Sequence, residues 1–279
     1  MLIRSLFFAP ANRPDLVAKF PRILADCYVI DLEDGTPPAA KLAARQALPQ
    51  LVAVLRTAAR NLQIFVRVNA VDTDLHADDV RVSVSCTIDG IVLPKIESPS
   101  AVRALADALD SAGKPPAIIG GIESLKGVMR ADELAAVDGG LVALYFGAED
   151  LASELQARRT PAGSEVLYAR SRVVLAARAF GIEPIDQAVI EVREDDQFIA
   201  DAKVGRDLGY GGKICLLPRQ VALAHRAFSP SAEEISRAEK IVLRYEEAMR
   251  HGLGTIEVDG QMIDGPLLKR SQRTLTRRG

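Results

Sequence analysis

Residues 117–150 read AIIGGIESLKGVMRADELAAVDGGLVALYFGAED. Two apolar runs, Ala117–Glu123 and Leu141–Gly147, bracket a longer stretch with charges at helical spacing. Runs this short and this continuously apolar read as strands buried on both faces. The same unit recurs in both directions along the chain, with runs at Ser5–Ala9, Cys27–Glu33, Gln63–Asn69, Gly90–Glu97, Glu183–Ile190 and Lys213–Pro218. Between them lie Ala- and Leu-rich segments such as Pro99–Ala112 and Ser164–Gly181. Gly113 and Gly181 stand where helices should stop, and Pro99 and Pro161 near where they should start. Eight strand–helix units predict a parallel sheet that closes into an α/β (β/α)₈ TIM barrel. The weakest crossover is Val71–Cys86, whose polar Asp72–Asp79 stretch reads partly as loop.

An open doubly wound sheet is the structural alternative. It usually carries a Gly-rich phosphate turn after the first strand. Here Phe8-Ala9-Pro10-Ala11-Asn12-Arg13 follows, with no glycine. Beyond the eighth strand the chain continues as a C-terminal helical extension. Ser231–His251 reads as an amphipathic helix with Ser231 as cap and Glu234 three residues on. Thr255–Val258 and Gln261–Ile263 read as a hairpin around Asp259-Gly260, and Asp264–Leu275 as a final helix. The expected division is a barrel over residues 1–228 and an extension over 229–279. The basic tail Lys269–Arg278 is either a solvated terminus or a contact for an anionic ligand or neighbouring subunit.

Of the 279 residues, 35 are Lys or Arg and 37 Asp or Glu, a balance that gives no electrostatic case for a nucleic-acid partner. No segment reaches the roughly 18 uninterrupted apolar residues of a membrane span. The start MLIRSLFFAP is too short for a signal-peptide core and runs straight into a strand. The three cysteines, Cys27, Cys86 and Cys215, show no metal-ligand spacing. Cys27 and Cys215 read as small core residues. A cytoplasmic location is expected.

In such a barrel, chemistry belongs at the C-terminal ends of the strands. The second strand ends in Asp31-Leu32-Glu33-Asp34-Gly35, the third in Arg67-Val68-Asn69 and the fourth in Lys95-Ile96-Glu97. The fifth ends in Glu123-Ser124 and the sixth in Phe146-Gly147-Ala148-Glu149-Asp150. Asp186 falls at the start or middle of the seventh. Carboxylates crowded on one rim repel unless cations neutralise them. Arg67 and Lys95 supply part of that charge, and a hard divalent cation would supply the rest. Mg²⁺ typically takes one or two carboxylates plus water and substrate oxygens. Glu123 and Asp150, on consecutive strands, are well placed for such a pair.

His76, His225 and His251 fall away from these ends, which argues against a histidine-built zinc site. A Ser-His-Asp triad is disfavoured too, since no Gly-x-Ser-x-Gly elbow occurs. A Schiff-base lysine is the rival chemistry, at Lys95 or at Lys213 in its apolar run. The carboxylates around Lys95 would keep it protonated, which opposes that role.

At these residues the sequence resembles the citrate lyase beta-subunit-like branch of the HpcH/HpaI aldolase superfamily, which includes citryl-, malyl- and citramalyl-CoA lyases. The matching pieces are Arg4–Pro10, Val29–Gly35, Arg67–Asn69, Pro94–Glu97, Glu123-Ser124, Phe146–Leu151 and Gly211-Gly212-Lys213. Each is weak alone, but the ordered set spans the barrel. The resemblance implies Mg²⁺ on Glu123 and Asp150, with Glu123 beside the substrate, and Arg67 on substrate oxygens next to the metal. It implies a CoA thioester substrate and a homotrimer or hexamer in which the extension packs on a neighbouring subunit. Gly260-Gln261-Met262-Ile263-Asp264 resembles a C-terminal segment whose aspartate reaches a neighbour's active site in malyl-CoA lyase-like members. Asp264 also suits a helix N-cap, and both roles are compatible.

The expected function is Mg²⁺-dependent carbon–carbon cleavage of a 3-hydroxy-3-carboxy acyl-CoA to a 2-oxo acid and acetyl-CoA. Arg67 would stabilise the enolate oxygen, and Glu33 and Asp34 would order water, metal or Arg67, with or without an acid/base role. Thioesterase or malate-synthase-like activity on the same site is the first alternative, and a non-catalytic subunit of a lyase complex the second.

Overall fold

The computed structural model describes residues 2–115 and 117–278. The outermost residues of the two expected domains, Met1 and Gly279, lie outside that description. Eight strands form a closed parallel barrel in sequence order: β1 Ser5–Pro10, β2 Cys27–Asp31, β3 Ile64–Arg67, β4 Gly90–Leu93, β5 Ile118–Ile122, β6 Leu141–Phe146, β7 Glu183–Asp186 and β8 Gly212–Cys215. β8 pairs with β1 through Ser5 opposite Lys213, which closes the ring. The helices are α1 Pro14–Val17, α2 Lys41–Ala58, α3 His76–Ser85, α4 Pro99–Ser111, α5 Leu125–Met129, α6 Ala131–Ala135, α7 Ala148–Glu154, α8 Leu167–Ala179, α9 Asp195–Leu208, α10 Pro218–Phe228, α11 Ala232–Arg250 and α12 Gly265–Thr276. The (β/α)₈ barrel predicted from the alternation is present.

The local signals explain the boundaries. Ser98 caps α4 by accepting from Ala101 N–H, with Pro99 in the first turn. Gly113 and Gly181 take positive φ angles of 70° and 72° just past α4 and α8. Pro161 stands in a loop well before α8 rather than at its start. The weak crossover does contain a helix, α3, entered through a short loop.

Several strands are shorter at their C-terminal ends than their apolar runs suggest. The run Gly90–Glu97 leaves the ladder after Leu93, because Lys95 turns into left-handed backbone at φ 48°. The run Glu183–Ile190 keeps only Glu183–Asp186 in the sheet, so Asp186 sits at the C-terminal end of β7 and not near its start. In both cases the apolar run continues into the loop that builds the barrel mouth.

Leu6, Val29, Phe65, Val92, Ile119, Tyr145, Ile185 and Ile214 pack into one buried core drawn from all eight strands. A second buried group is ionic. Arg170 of α8 donates to both Asp186 oxygens at 2.8 and 2.6 Å and to Asp201 of α9 at 3.0 Å. Lys213 of β8 donates to Asp186 at 2.8 Å and also to Asp201. Burial pushes the Asp201 carboxyl up, but the charges of Lys213 and Arg170 outweigh it and hold it below the usual carboxylate value. Lys213 is therefore an ion-paired lysine between barrel and helices. Cys27, Cys86 and Cys215 are all buried and unpaired with one another. Among the described residues no helix is long and apolar enough to cross a membrane.

The chain divides into two compact units, one up to His225 and one from Arg226 on. In the second unit α11 begins with a capping box between Ser231 and Glu234. The strands β9 Ile256–Val258 and β10 Gln261–Ile263 form an antiparallel hairpin, with Asp259 and Gly260 at φ 51° and 76°. That pair of positive angles is what a two-residue hairpin turn demands. Asp264 caps α12 by accepting from Leu267 N–H at 3.3 Å. Ile241, Tyr245, Val258 and Ile263 form a small core of their own.

Removing one cation from the Arg170–Lys213 network strands a buried carboxylate. Lys213→Met is expected to lose about 3–5 kcal/mol in urea unfolding at neutral pH. Asp201 has a depressed pKa, so its contribution is complete above the ordinary carboxylate value and disappears as pH falls through its folded value. The gap between wild type and variant should narrow over that acidic range. Equal stability at neutral pH would overturn the assigned role.

Candidate active site at the barrel mouth

The C-terminal ends of β1 to β8 surround a cavity of about 450 Å³. Its lining includes Phe8, Asp31, Asp34, Arg67, Glu123, Tyr145, Glu149 and Asp150. Five of the six residues expected at the site, Glu33, Asp34, Arg67, Glu123 and Asp150, gather in or against it. Asp264 belongs to the second unit, where its observed contact is the α12 cap.

The centre of the cluster is Arg67 at the end of β3. Register places it directly opposite Asp31, the last residue of β2. Its Nε and Nη2 donate to the two Asp31 oxygens at 2.7 and 2.6 Å, a bidentate pair. Its Nη1 lies 2.8 Å from Glu33 Oε2, but off the line of a hydrogen bond, so this contact is Coulombic. Glu33 Oε2 is thus a buried oxygen without a hydrogen-bond donor. Burial pushes the Arg67 guanidinium down, yet Asp31 foremost holds it well above its ordinary value, so it stays charged. The cation also sits 5.1 Å from the centre of the Phe8 ring.

Lys95 closes the outer side. Its left-handed backbone turns the ammonium toward three carboxylates: Glu33 at 3.0 Å, and Asp34 and Asp150 at 3.5 Å each. Burial alone would lower its pKa, but Glu33, Asp34 and Asp150 raise it instead. These carboxylates favour the protonated amine, which opposes the Schiff-base role at this position.

Glu123 follows β5 and is buried. Its Oε1 accepts from the Lys95 N–H at 3.1 Å and from the Tyr145 hydroxyl. Burial first, and the Glu33 charge second, push its carboxyl up to about 7 against the opposing pull of Arg67. Among the described residues no donor reaches Oε2. That oxygen faces Gly147, where an added Cβ would lie 2.6 Å away. Asp150, in the first turn of α7, is 42% exposed and pairs with Lys95.

This donor set fits a hard divalent cation. Such an ion takes carboxylate oxygens and completes its shell with water and substrate. Glu123 Oε2 has no donor to give up, and Asp150 is loosely held and open. Among the described residues no cluster of three or more His, Cys, Asp or Glu forms a closed cage, and none of the cavity's lining residues is a histidine. His225 bonds Ser5 at the N-terminal end of β1 at 2.9 Å, and His76 bonds the Asn69 carbonyl at 2.8 Å. Both are packing histidines, as their positions in the sequence suggest.

Two contributors were not singled out from sequence. Asp31 is the anchor of Arg67, and only strand register reveals the pairing. Tyr145 lies inside an apolar run and reads as one more core aromatic. A signal for it did exist: Gly120-Gly121 interrupts a buried strand, as glycines do where another group approaches closely. Gly121 sits opposite Tyr145 in the ladder, and a Cβ there would collide with the tyrosine ring and hydroxyl.

The family model described as HpcH/HpaI aldolase/citrate lyase matches residues 4–218. A citrate lyase subunit beta-like protein of Deinococcus radiodurans is 42% identical over 99% of this chain and 97% of its own length. A (3S)-malyl-CoA thioesterase of Cereibacter sphaeroides is 32% identical over 98% of this chain and 94% of its own. A crystal structure of CitE from Mycobacterium tuberculosis in complex with magnesium, acetoacetate and coenzyme A superposes with a TM-score of 0.82. It is 30% identical and covers 99% of this chain and 98% of that chain.

The tight seat of Glu123 against Gly147 gives a direct check. Gly147→Ala should displace the carboxylate at a stability cost of about 1–3 kcal/mol, read by urea unfolding. An unchanged midpoint together with an unmoved Glu123 in a crystal structure would show that the seat has slack.

Proposed function

Since the chain belongs to the HpcH/HpaI aldolase/citrate lyase family, we propose that it cleaves a carbon–carbon bond in a 3-hydroxy-3-carboxy acyl-CoA. Malyl-, citramalyl- and citryl-CoA are the candidate substrates, with a 2-oxo acid and acetyl-CoA as products. The observation that carries the proposal is the pairing of an open two-carboxylate site, Glu123 and Asp150, with the fixed cation of Arg67 in one cavity. The magnesium and coenzyme A bound by the CitE structure support it.

Glu123 and Asp150 would hold Mg²⁺, which when bound supplies Lewis acidity toward the hydroxyl and carboxylate oxygens of the acid. Arg67 would bind the thioester carbonyl oxygen. The hydroxyl loses its proton to water, the bond between the hydroxyl-bearing carbon and the α-carbon of the thioester breaks, and the electron pair passes to the thioester as an enolate. Arg67 is already locked by Asp31 and Glu33, so it meets that developing charge without reorganising. Glu33 and Asp34 act as positioning residues: they fix Lys95, and Glu33 also fixes Arg67. Tyr145 orients Glu123 through its hydroxyl. Asp264, carried on the extension of a neighbouring subunit in a homotrimer or hexamer, would return a proton to the acetyl enolate.

Thioester hydrolysis at the same site is the second reading, favoured by the malyl-CoA thioesterase among the relatives. Product analysis separates the two. Cleavage releases a 2-oxo acid and acetyl-CoA, whereas hydrolysis releases free CoA and the intact hydroxy acid.

Glu123→Gln and Asp150→Asn should each abolish Mg²⁺ binding in calorimetry and cleavage of the CoA substrates, while circular dichroism stays that of the wild type. Full activity in EDTA, or in either variant, would falsify the metal assignment. Arg67→Lys should lower kcat by about 10²–10³, as deletion of an oxyanion stabiliser does. Asp264→Ala should slow turnover without weakening Mg²⁺ binding; unaltered cleavage and hydrolysis would remove Asp264 from the chemistry.

A further inference from the structure

We infer that the site selects substrates whose hydroxyl-bearing carbon carries a hydrogen or a methyl-sized neutral group, and rejects those with a carboxymethyl arm there. The inference takes the rest of the substrate from the lyase reading above. Its basis is the distribution of charge around the mouth.

The ionic groups all come from one arc of the barrel, β2 to β6 and their loops. The remaining arc is apolar. β1 contributes Phe8 and Pro10, the loop after β7 contributes Ala188, and β8 with its following residue contributes Ile214 and Leu216. Polar residues exist on β7 and β8, but the pleat turns them away. Asp186 and Lys213 face the helical layer, where Arg170 and Asp201 hold them. Ile185 and Ile214 take the inward positions. Gln187 is likewise engaged, by Asp201 at 3.0 Å and Arg159 at 3.3 Å.

A carboxymethyl arm therefore has two places to go, and neither offers a partner. Against the apolar arc, its carboxylate would be desolvated without a donor, which is strongly unfavourable. Against the ionic arc, it would meet Asp31, Glu33, Asp34, Glu123, Glu149 and Asp150, with the nearby cations already shared, Arg159 by Glu149 and Glu165. Arg67 is held by Asp31 and Glu33, and Lys95 by Glu33, Asp34 and Asp150. A divalent cation on Glu123 and Asp150 still leaves carboxylates in excess. A hydrogen or methyl group needs no partner and gains from contact with the apolar wall.

The test measures kcat/KM for malyl-, citramalyl- and citryl-CoA with Mg²⁺, by 2-oxo acid release, on the full chain and on Leu216→Arg. The better of the first two should exceed citryl-CoA by about 100-fold. A ratio below about ten-fold would overturn the selectivity and leave the lyase reading standing. Leu216→Arg places a cation on the apolar wall and should narrow the ratio by about ten-fold or more; an unchanged ratio in a folded variant overturns the role of the wall. Should that variant fail to fold, Ala188→Lys places a cation on the same wall. If no thioester is cleaved, the lyase reading falls, and calorimetry with Mg²⁺ still reads the selectivity. Tighter binding of pyruvate than of oxaloacetate then supports it, and the reverse order overturns it.

Discussion

Everything at the barrel mouth depends on the pairing of Arg67 with Asp31. Carboxylates from neighbouring strands converge there, and without a fixed counter-charge they would repel one another or bind protons. The guanidinium solves this with planar geometry. It spends one fork on Asp31 and turns its remaining edge toward Glu33. A lysine has no planar fork to match both oxygens of Asp31. Lys95 then extends the neutralisation outward to Asp34 and Asp150. Glu123 is left short of compensation, with its carboxyl pushed up to about 7 and one oxygen without a donor. That deficit is what a divalent cation would relieve.

A second ionic cluster, Arg170 with Asp186, Asp201 and Lys213, contrasts with the first. It is buried between strands and helices and lies off the cavity at the mouth. Each of its charges has at least two partners, so no unmet bonding capacity points at a ligand. The two clusters divide the barrel's charge between a mouth built for chemistry and a wall built for packing. The consequence is an asymmetric mouth, ionic from β2 to β6 and apolar across β7, β8 and β1.

Much of the site was legible before the fold was known. The eight apolar runs placed Glu33, Arg67, Lys95, Glu123 and Asp150 at strand ends, and strand ends share one rim in a closed parallel barrel. The rest was hidden for particular reasons. Asp31 looked like one acid among several until register set it against Arg67. Tyr145 was disguised by its apolar neighbours. Asp186 was misplaced along β7 because the apolar run does not stop where the ladder stops.

The sequence by itself determined the barrel, since an apolar period and helix punctuation repeated eight times admit few closed arrangements. It also determined which residue types reach the mouth, because position at a strand end is a local property. Tertiary structure alone decided who pairs with whom. Hydrogen-bond partners such as Arg67 and Asp31 lie far apart in the chain, and the register that joins them is set by the packing of whole strands. It alone decided too that Lys213 faces outward to Asp186 and Asp201, for in a strand buried on both faces nothing in the local pattern tells inside from outside.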